Sequence, residues 1–323
     1  MGRSILVPLD GSAAAEHALP TALSLARRFG AALQIVHVHV PVWGSYAEGE
    51  WYDAITDREL RENGQAYLDT VLQRLASVGE NSLSENSLSS VLLEGSVAGA
   101  INRHAVATEV DLIVMTTHGR GPMARFWLGS VADSLMRQTS IPVLFVQPQE
   151  TEAQLTQESV FDRVLIPLDG SELAEQILKP GMDLATAMQA EVTLLRVVQQ
   201  FTPASYDPES NRISGLRSTS LKQLQDIDRE EWSRAEEYLD QLAARLRSGA
   251  LSVQTRVVSH IRPATAILDD ASSNGADLVA VATQGRGGLK RWLVGSVADK
   301  VVRGATMPVL VYRPTGEFVS AED

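Results

Sequence analysis

Gly119 is followed after nine residues by Gly129-Ser130, and Gly285 is followed after the same interval by Gly295-Ser296. Each first glycine stands in a short polar run, Thr117-His118-Gly119-Arg120 or Thr283-Gln284-Gly285-Arg286, and each second glycine opens Gly-Ser-Val-Ala-Asp, at 129–133 and at 295–299. A residue without Cβ lets the backbone approach a ligand closely, and a helix starting at Ser130 or Ser296 would direct its first N–H groups at an anion. The chemistry that this spacing can perform is phosphate binding, and the chain contains it twice.

A second pair of candidates lies upstream, where Asp10 and Asp169 follow the matching runs Ile5-Leu6-Val7-Pro8-Leu9 and Val164-Leu165-Ile166-Pro167-Leu168, each before Gly-Ser. Simpler roles stay open for several of these residues. Ser130…Asp133, Ser296…Asp299 and Asp169-Gly170-Ser171-Glu172 all fit helix caps or capping boxes. Arg120 and Arg286 can reach phosphate oxygens or remain solvated. His37 and His39 share a strand face and permit a metal pair, but packing or hydrogen bonding is the simpler reading without a third ligand. His118 is matched by Gln284, so it is not an acid or base that both copies need. Neither Gly-x4-Gly-Lys-Ser/Thr nor a complete Gly-x-Gly-x-x-Gly occurs, which argues against a P-loop NTPase and a dinucleotide oxidoreductase.

Composition narrows the setting. Residues 1–150 hold 10 Lys+Arg against 16 Asp+Glu and residues 151–323 hold 18 against 24, so each half carries −6 of the net −12. Neither half offers the positive field that nucleic acid requires. No apolar run approaches a membrane span, and the N-terminus reaches Asp10 before a signal-peptide core can form, so a cytoplasmic protein with no membrane partner is expected. The absence of cysteine excludes disulfides, thiolate catalysis and Cys-based zinc sites.

The elements that must position these residues alternate strand and helix. The first series predicts a strand over Ser4–Leu9, a helix over Ala13–Phe29 ended by Gly30, and a strand over Leu33–Val40. An aromatic loop over Pro41–Asp53, a lid candidate, precedes a helix over Ala54–Ser77. The polar repeat at Asn81–Ser90 reads as a connection before a strand at Val91–Leu93. A helix over Ala98–Thr108, a strand over Asp111–Thr116, a helix over Ser130–Gln138 and a strand over Ile141–Val146 complete the series. After a polar linker it restarts at Val164, with a Pro/Ser-rich stretch from Gln199 to about Lys222. The expected fold is α/β: two similar doubly wound domains at 1–148 and 161–315 joined by a linker at 149–160. Each is a five-stranded parallel sheet of order 3-2-1-4-5 with helices on both faces. In such sheets a ligand sits beyond the carboxyl ends of the strands at the reversal point, flanked by strands one and four.

The duplicated motif on this pattern resembles the universal stress protein family over nearly the whole chain, as two UspA-type domains in tandem. The family's ATP signature is Gly-x2-Gly-x9-Gly-Ser/Thr. Gly119 with Gly129-Ser130 and Gly285 with Gly295-Ser296 match its last two parts, while Thr116 and Ala282 hold the first glycine's position. The resemblance implies ATP or AMP as a bound ligand, with Mg as a possible companion. Gly119, Gly129, Ser130, Gly285, Gly295 and Ser296 would hold the phosphates, Asp10 and Asp169 would lie against the adenosine, and backbone groups at Val38 and Val197 would read the adenine. Pro8, Thr117, His118, Arg120, Val131, Pro167, Thr283, Gln284, Arg286 and Val297 would complete the two sites. It also implies an internal pseudo-dimer through strands near Val143 and Val309, a further homodimer, and a nucleotide-dependent regulator of the stress response with little or no turnover. Two alternatives remain: a slow ATPase or phosphotransfer enzyme using Asp10 or Asp169 with a divalent metal, and a degenerate scaffold that binds no nucleotide.

Overall fold

The computed structural model describes residues 4–41, 43–46, 49–52, 54–79, 87–117, 128–149, 151–199, 221–247, 251–283 and 295–314. Five strands of the first domain are β1 (Ser4–Leu9), β2 (Ala32–His39), β5 (Leu88–Glu94), β6 (Leu112–Thr116) and β7 (Val143–Val146). Their counterparts are β8 (Arg163–Pro167), β9 (Glu191–Val198), β10 (Val253–Ser259), β11 (Leu278–Ala282) and β12 (Val309–Tyr312). In space the first five run β5-β2-β1-β6-β7 and the second five run β10-β9-β8-β11-β12, all parallel within each domain. This is the expected 3-2-1-4-5 order, twice.

The two sheets join edge to edge. β7 and β12 pair antiparallel, with Val143 opposite Val311, Leu144 opposite Leu310 and Phe145 opposite Val309, so the domains form a pseudo-dimer with one ten-stranded sheet. Central strands β6 and β11 are buried at every position, as an unbroken apolar run requires when helices cover both faces. One face packs against the helices Ala18–Phe29 and Ala54–Gly79 through Leu19, Leu23, Leu68 and Leu75; the other buries Ile101, Leu135 and Met136. Fully burying each such side chain contributes about 1.5–3 kcal/mol.

The structure differs from the sequence reading at three places. The first helix is two, Ala13–Glu16 and Ala18–Phe29, meeting at His17, and the second copy repeats this with Glu172–Glu175 and Leu178–Met188. Pro20 and Pro180 explain both breaks, because a proline ring conflicts with the carbonyl four residues earlier, at Glu16 and Gln176. The aromatic loop contains an antiparallel hairpin of β3 (Trp43–Tyr46) and β4 (Gly49–Tyr52), separate from the main sheet. Leu88-Ser89-Ser90 opens β5 rather than serving as connection, since Gln34 Nε2 donates to Ser89 Oγ (3.2 Å) across the ladder. The linker is docked: Leu155 and Phe161 are buried, Ser159 N–H donates to Ser24 Oγ (2.9 Å), and His17 Nε2 contacts the Thr151 carbonyl (2.6 Å). The Pro/Ser-rich stretch over 200–220 lies outside the described residues, which resume at the helix Leu221–Leu246.

Candidate nucleotide site

β1 lies between β2 and β6. Because β2 follows it on one side and β6 flanks it on the other, this is where the winding reverses. Ile5 pairs with Leu112 and Leu6 with Ile113, so Asp10 and Thr117 leave the carboxyl ends of adjacent strands. Leu278 and Val279 pair with Val164 and Leu165, and Asp169 and Thr283 leave side by side in the same way. The residues occupying the signature's first position, Thr116 and Ala282, are the buried last residues of β6 and β11.

Thr117 closes the motif segment. Its N–H donates to the Val146 carbonyl (3.2 Å) and its own carbonyl accepts from Gly129 N–H (2.8 Å). Thr283 does the same with the Tyr312 carbonyl (2.9 Å) and Gly295 N–H (2.5 Å). Both threonines are buried. His118, Gly119, Arg120, Gln284, Gly285 and Arg286 lie outside the described residues.

The helices Ser130–Gln138 and Ser296–Gly304 begin at these pins, with Gly129 and Gly295 as N-caps that lack any side-chain capping bond. Ser130 and Ser296 are exposed at the first helical position, while Val131 and Val297 pack on the core. The capping-box reading does not hold, because the acidic residues turn away from the helix start. Asp133 accepts from Arg137 Nε (2.8 Å) and Nη2 (3.1 Å), and Asp299 accepts from Arg303 Nε (3.0 Å). An i, i+4 ion pair wins over the cap.

Asp10 and Asp169 are not helix caps either. Ser12 and Ser171 cap, accepting from Ala15 and Ala174 N–H (3.1 Å each). The carboxylates instead hold the turn: Asp10 Oδ1 accepts from Ser12 N–H (2.9 Å), and Asp169 Oδ1 accepts from Ser171 N–H (3.0 Å) and Oγ (2.6 Å). Gly11 and Gly170 make the turn possible with φ of 82° and 76°. Pro8 sits in β1 and Pro167 ends β8. The β1–β2 ladder stops at Leu9 opposite His37, one residue before Val38, and the β8–β9 ladder stops at Pro167 opposite Leu195, before Val197.

The two histidines do not form a metal pair. His37 Nδ1 donates to the Leu9 carbonyl (2.9 Å), a role taken in the second domain by Arg196, which donates to the Leu168 carbonyl (3.2 Å). His39 Nε2 is 2.7 Å from Asp57 Oδ1, with both side chains buried. Among the described residues no group of three or more His, Cys, Asp or Glu could hold a metal ion.

A polar triad beside each site was missed in sequence. Tyr67 O–H donates to Glu16 Oε1 (3.1 Å) while Arg74 holds Glu16 Oε2 (2.8 Å). Tyr238 donates to Glu175 Oε1 (3.0 Å), with Arg245 3.4 Å from Glu175 Oε2. Burial, and then the neighbouring carboxylate, pushes both phenols far above their ordinary range, so they stay protonated donors. The signal was available as the repeated Tyr-Leu-Asp-x4-Arg-Leu at 67–75 and 238–246. Next to Tyr238 the second domain opens a cleft of about 230 Å³ among Gly170, Arg196, Glu231, Arg234 and Ala235. In the first domain the His37 ring occupies this region, its Cδ2 3.0 Å from where a Cβ on Gly64 would stand.

Comparison with known proteins agrees with this architecture. The sequence pattern of the Universal stress protein family matches residues 1–147 and again residues 161–313. A universal stress protein of Mycobacterium tuberculosis is 30% identical over 213 residues, an alignment spanning 64% of this chain and only 63% of that relative's length. One from Mycolicibacterium smegmatis is 26% identical over 321 residues, covering 96% of this chain and 97% of its own. The crystal structure of a universal stress protein from Archaeoglobus fulgidus has the same fold at 17% identity, with a TM-score of 0.65 over 96% of this chain and 98% of that one. With its pattern met once in each half of a doubled 3-2-1-4-5 sheet, this chain belongs to the universal stress protein family, as a tandem of two such domains.

Proposed function

We propose that the protein binds an adenine nucleotide, ATP or AMP, in one or both crevices and acts as a nucleotide-dependent regulator of the stress response, with occupancy rather than turnover as its output. The observation that carries this reading is the pinning of Gly129 N–H on the Thr117 carbonyl and of Gly295 N–H on the Thr283 carbonyl. It sets the ends of each motif segment at the reversal point, on helices whose opening N–H groups no side chain caps. Such a helix start is a ready site for phosphate oxygens, and Mg would accompany ATP there. Thr283 Oγ1, buried and without a hydrogen-bond partner among the described residues, supports the same reading. Val38 and Val197, just past the β1–β2 and β8–β9 ladders, would present backbone groups to the base on that side. The reading also expects a cytoplasmic homodimer, which light scattering of the full chain and fractionation of cells check.

Calorimetry of the purified protein with ATP and with AMP, with and without Mg, tests it. Binding near micromolar, about −8 kcal/mol, is expected. Absence of heat with either nucleotide, together with no nucleotide released on denaturing the purified protein, would sink it.

A further inference from the structure

Thr117 is tied across the domain boundary. Its Oγ1 donates to Gln147 Oε1 (3.1 Å), and the amide nitrogen of the same glutamine donates to the Ala305 carbonyl (3.0 Å). Ala305 is the C-cap of Ser296–Gly304, the motif helix of the other domain. One side chain thus connects the closing threonine of the first site to the helix that opens at the second. At the pseudo-equivalent position stands Arg313, whose Nη1 donates to the carbonyl of Gln138 (3.2 Å), the last residue of the first domain's motif helix. Both residues follow the last strands, β7 and β12, which meet at the seam.

The two differ in chemistry. An amide donates and accepts at once, whereas a guanidinium only donates. Gln147 can therefore hold Thr117 while reaching Ala305. Arg313 can reach Gln138 but cannot accept from Thr283, whose buried hydroxyl has no hydrogen-bond partner among the described residues. The sequence difference Gln147/Arg313 makes one continuous link where symmetry would have given two.

We propose that Gln147 is a positioning residue that couples Thr117, with its pin to Gly129, to the C-terminal turn of Ser296–Gly304, so that a change at either end is felt at the other. This names a regulation of the nucleotide sites and rests on that reading only for its ligand-linked consequence. Coupling between binding sites is reciprocal, so occupancy of either site would shift affinity at the other by the same factor.

Amide hydrogen exchange on the full-length protein without nucleotide tests the link directly. Gln147→Glu keeps an acceptor for Thr117 and removes the donor to Ala305; Gln147→Arg, copying the second domain, keeps a donor and removes the acceptor. Gln147→Glu should speed exchange most in the last turn of Ser296–Gly304 and Gln147→Arg most at Gly129, each with a smaller effect at the other end of the link. Thr117→Val should speed exchange in that same distant turn, which a purely local role would not produce. Identical patterns for the two glutamine variants, or an unchanged distant turn in Thr117→Val, overturn the coupling. Calorimetry with AMP then separates the two readings. Two unequal affinities that become independent in Gln147→Glu support the coupling, wild-type sites that already bind independently overturn it, and absence of binding counts against the nucleotide reading alone.

Discussion

Arg303 Nη2 of the second domain stands 3.3 Å from Asp133 Oδ1 of the first, while its Nε holds Asp299 at 3.0 Å. Asp133 also takes Arg137, so two acids and two arginines, one of each per domain, make a chain of contacts, Arg137–Asp133–Arg303–Asp299, between the two motif helices. These groups are about two-thirds buried, so the contacts are stronger than those of a fully solvated pair but remain open to salt.

Arg303 bridges the domains and Arg137 does not reach across by hydrogen bond. Arg303→Gln should therefore cost more than Arg137→Gln, by about 0.5–1 kcal/mol at low ionic strength, and the difference should shrink in high salt. Urea unfolding of both variants at two salt concentrations checks this. Equal losses, or a difference insensitive to salt, would remove the cross-domain bridge from the account.

Gly129 and Gly295 have φ near −58° and −57° with extended ψ, a conformation that a branched residue adopts without strain. Substituting both with Val should weaken nucleotide binding by about tenfold or more while leaving the circular dichroism close to wild type and lowering the melting temperature only modestly, because backbone access to phosphate is lost and Val caps a helix less well than Gly. Unchanged affinity in the double variant would show that phosphate does not approach the backbone at these two positions.

Tyr67→Phe and Tyr238→Phe remove the hydroxyl and leave Glu16 with Arg74 and Glu175 with Arg245. Each should destabilise by about 0.5–1.5 kcal/mol. The effects should add, because the two triads belong to different domains. A double variant that loses clearly more than the sum would reveal coupling through the seam.

His104 lies on the helix Val97–Ala107 with Nε2 2.5 Å from Gln34 Oε1, and burial lowers its pKa below the ordinary 6.5. The unfolded chain then binds this proton more readily than the folded one. The contribution to stability is complete above 6.5 and declines as pH falls from there toward the lower folded value. His104→Gln keeps an amide partner for Gln34 and cannot titrate, so its stability should fall less than wild type between pH 7.5 and 5.5. Parallel pH profiles for the two proteins would rule His104 out as the source.

How much of this was legible beforehand follows the range over which each signal acts. Helix Ser130–Gln138 is legible in its own residues to the last one, because period and length are local. The breaks at His17 and Gln176 were equally local, written in Pro20 and Pro180, and were overlooked because the apolar period runs on through them. Leu88-Ser89-Ser90 misled for the opposite reason: its polarity suits a connection, and only pairing with β2 makes it strand. Ser130…Asp133 matched a capping box, yet the carboxylate had a better partner one turn on at Arg137 and another from the far domain.

By itself the sequence determined two similar α/β domains, their strand order, and the placement of Asp10 beside Thr117 and of Asp169 beside Thr283. Each of these follows from short-range patterns repeated at fixed spacing, combined with the few topologies a parallel sheet allows. Tertiary structure alone decided which side chains meet: Tyr67 with Glu16 across 51 residues, Arg303 with Asp133 across 170, and Gln147 with Ala305 across 158. Such contacts depend on how helices and sheet edges settle against one another. No periodicity in the chain encodes the partner of a glutamine just past the last strand of the first domain, or the different partner of Arg313 at the matching place in the second.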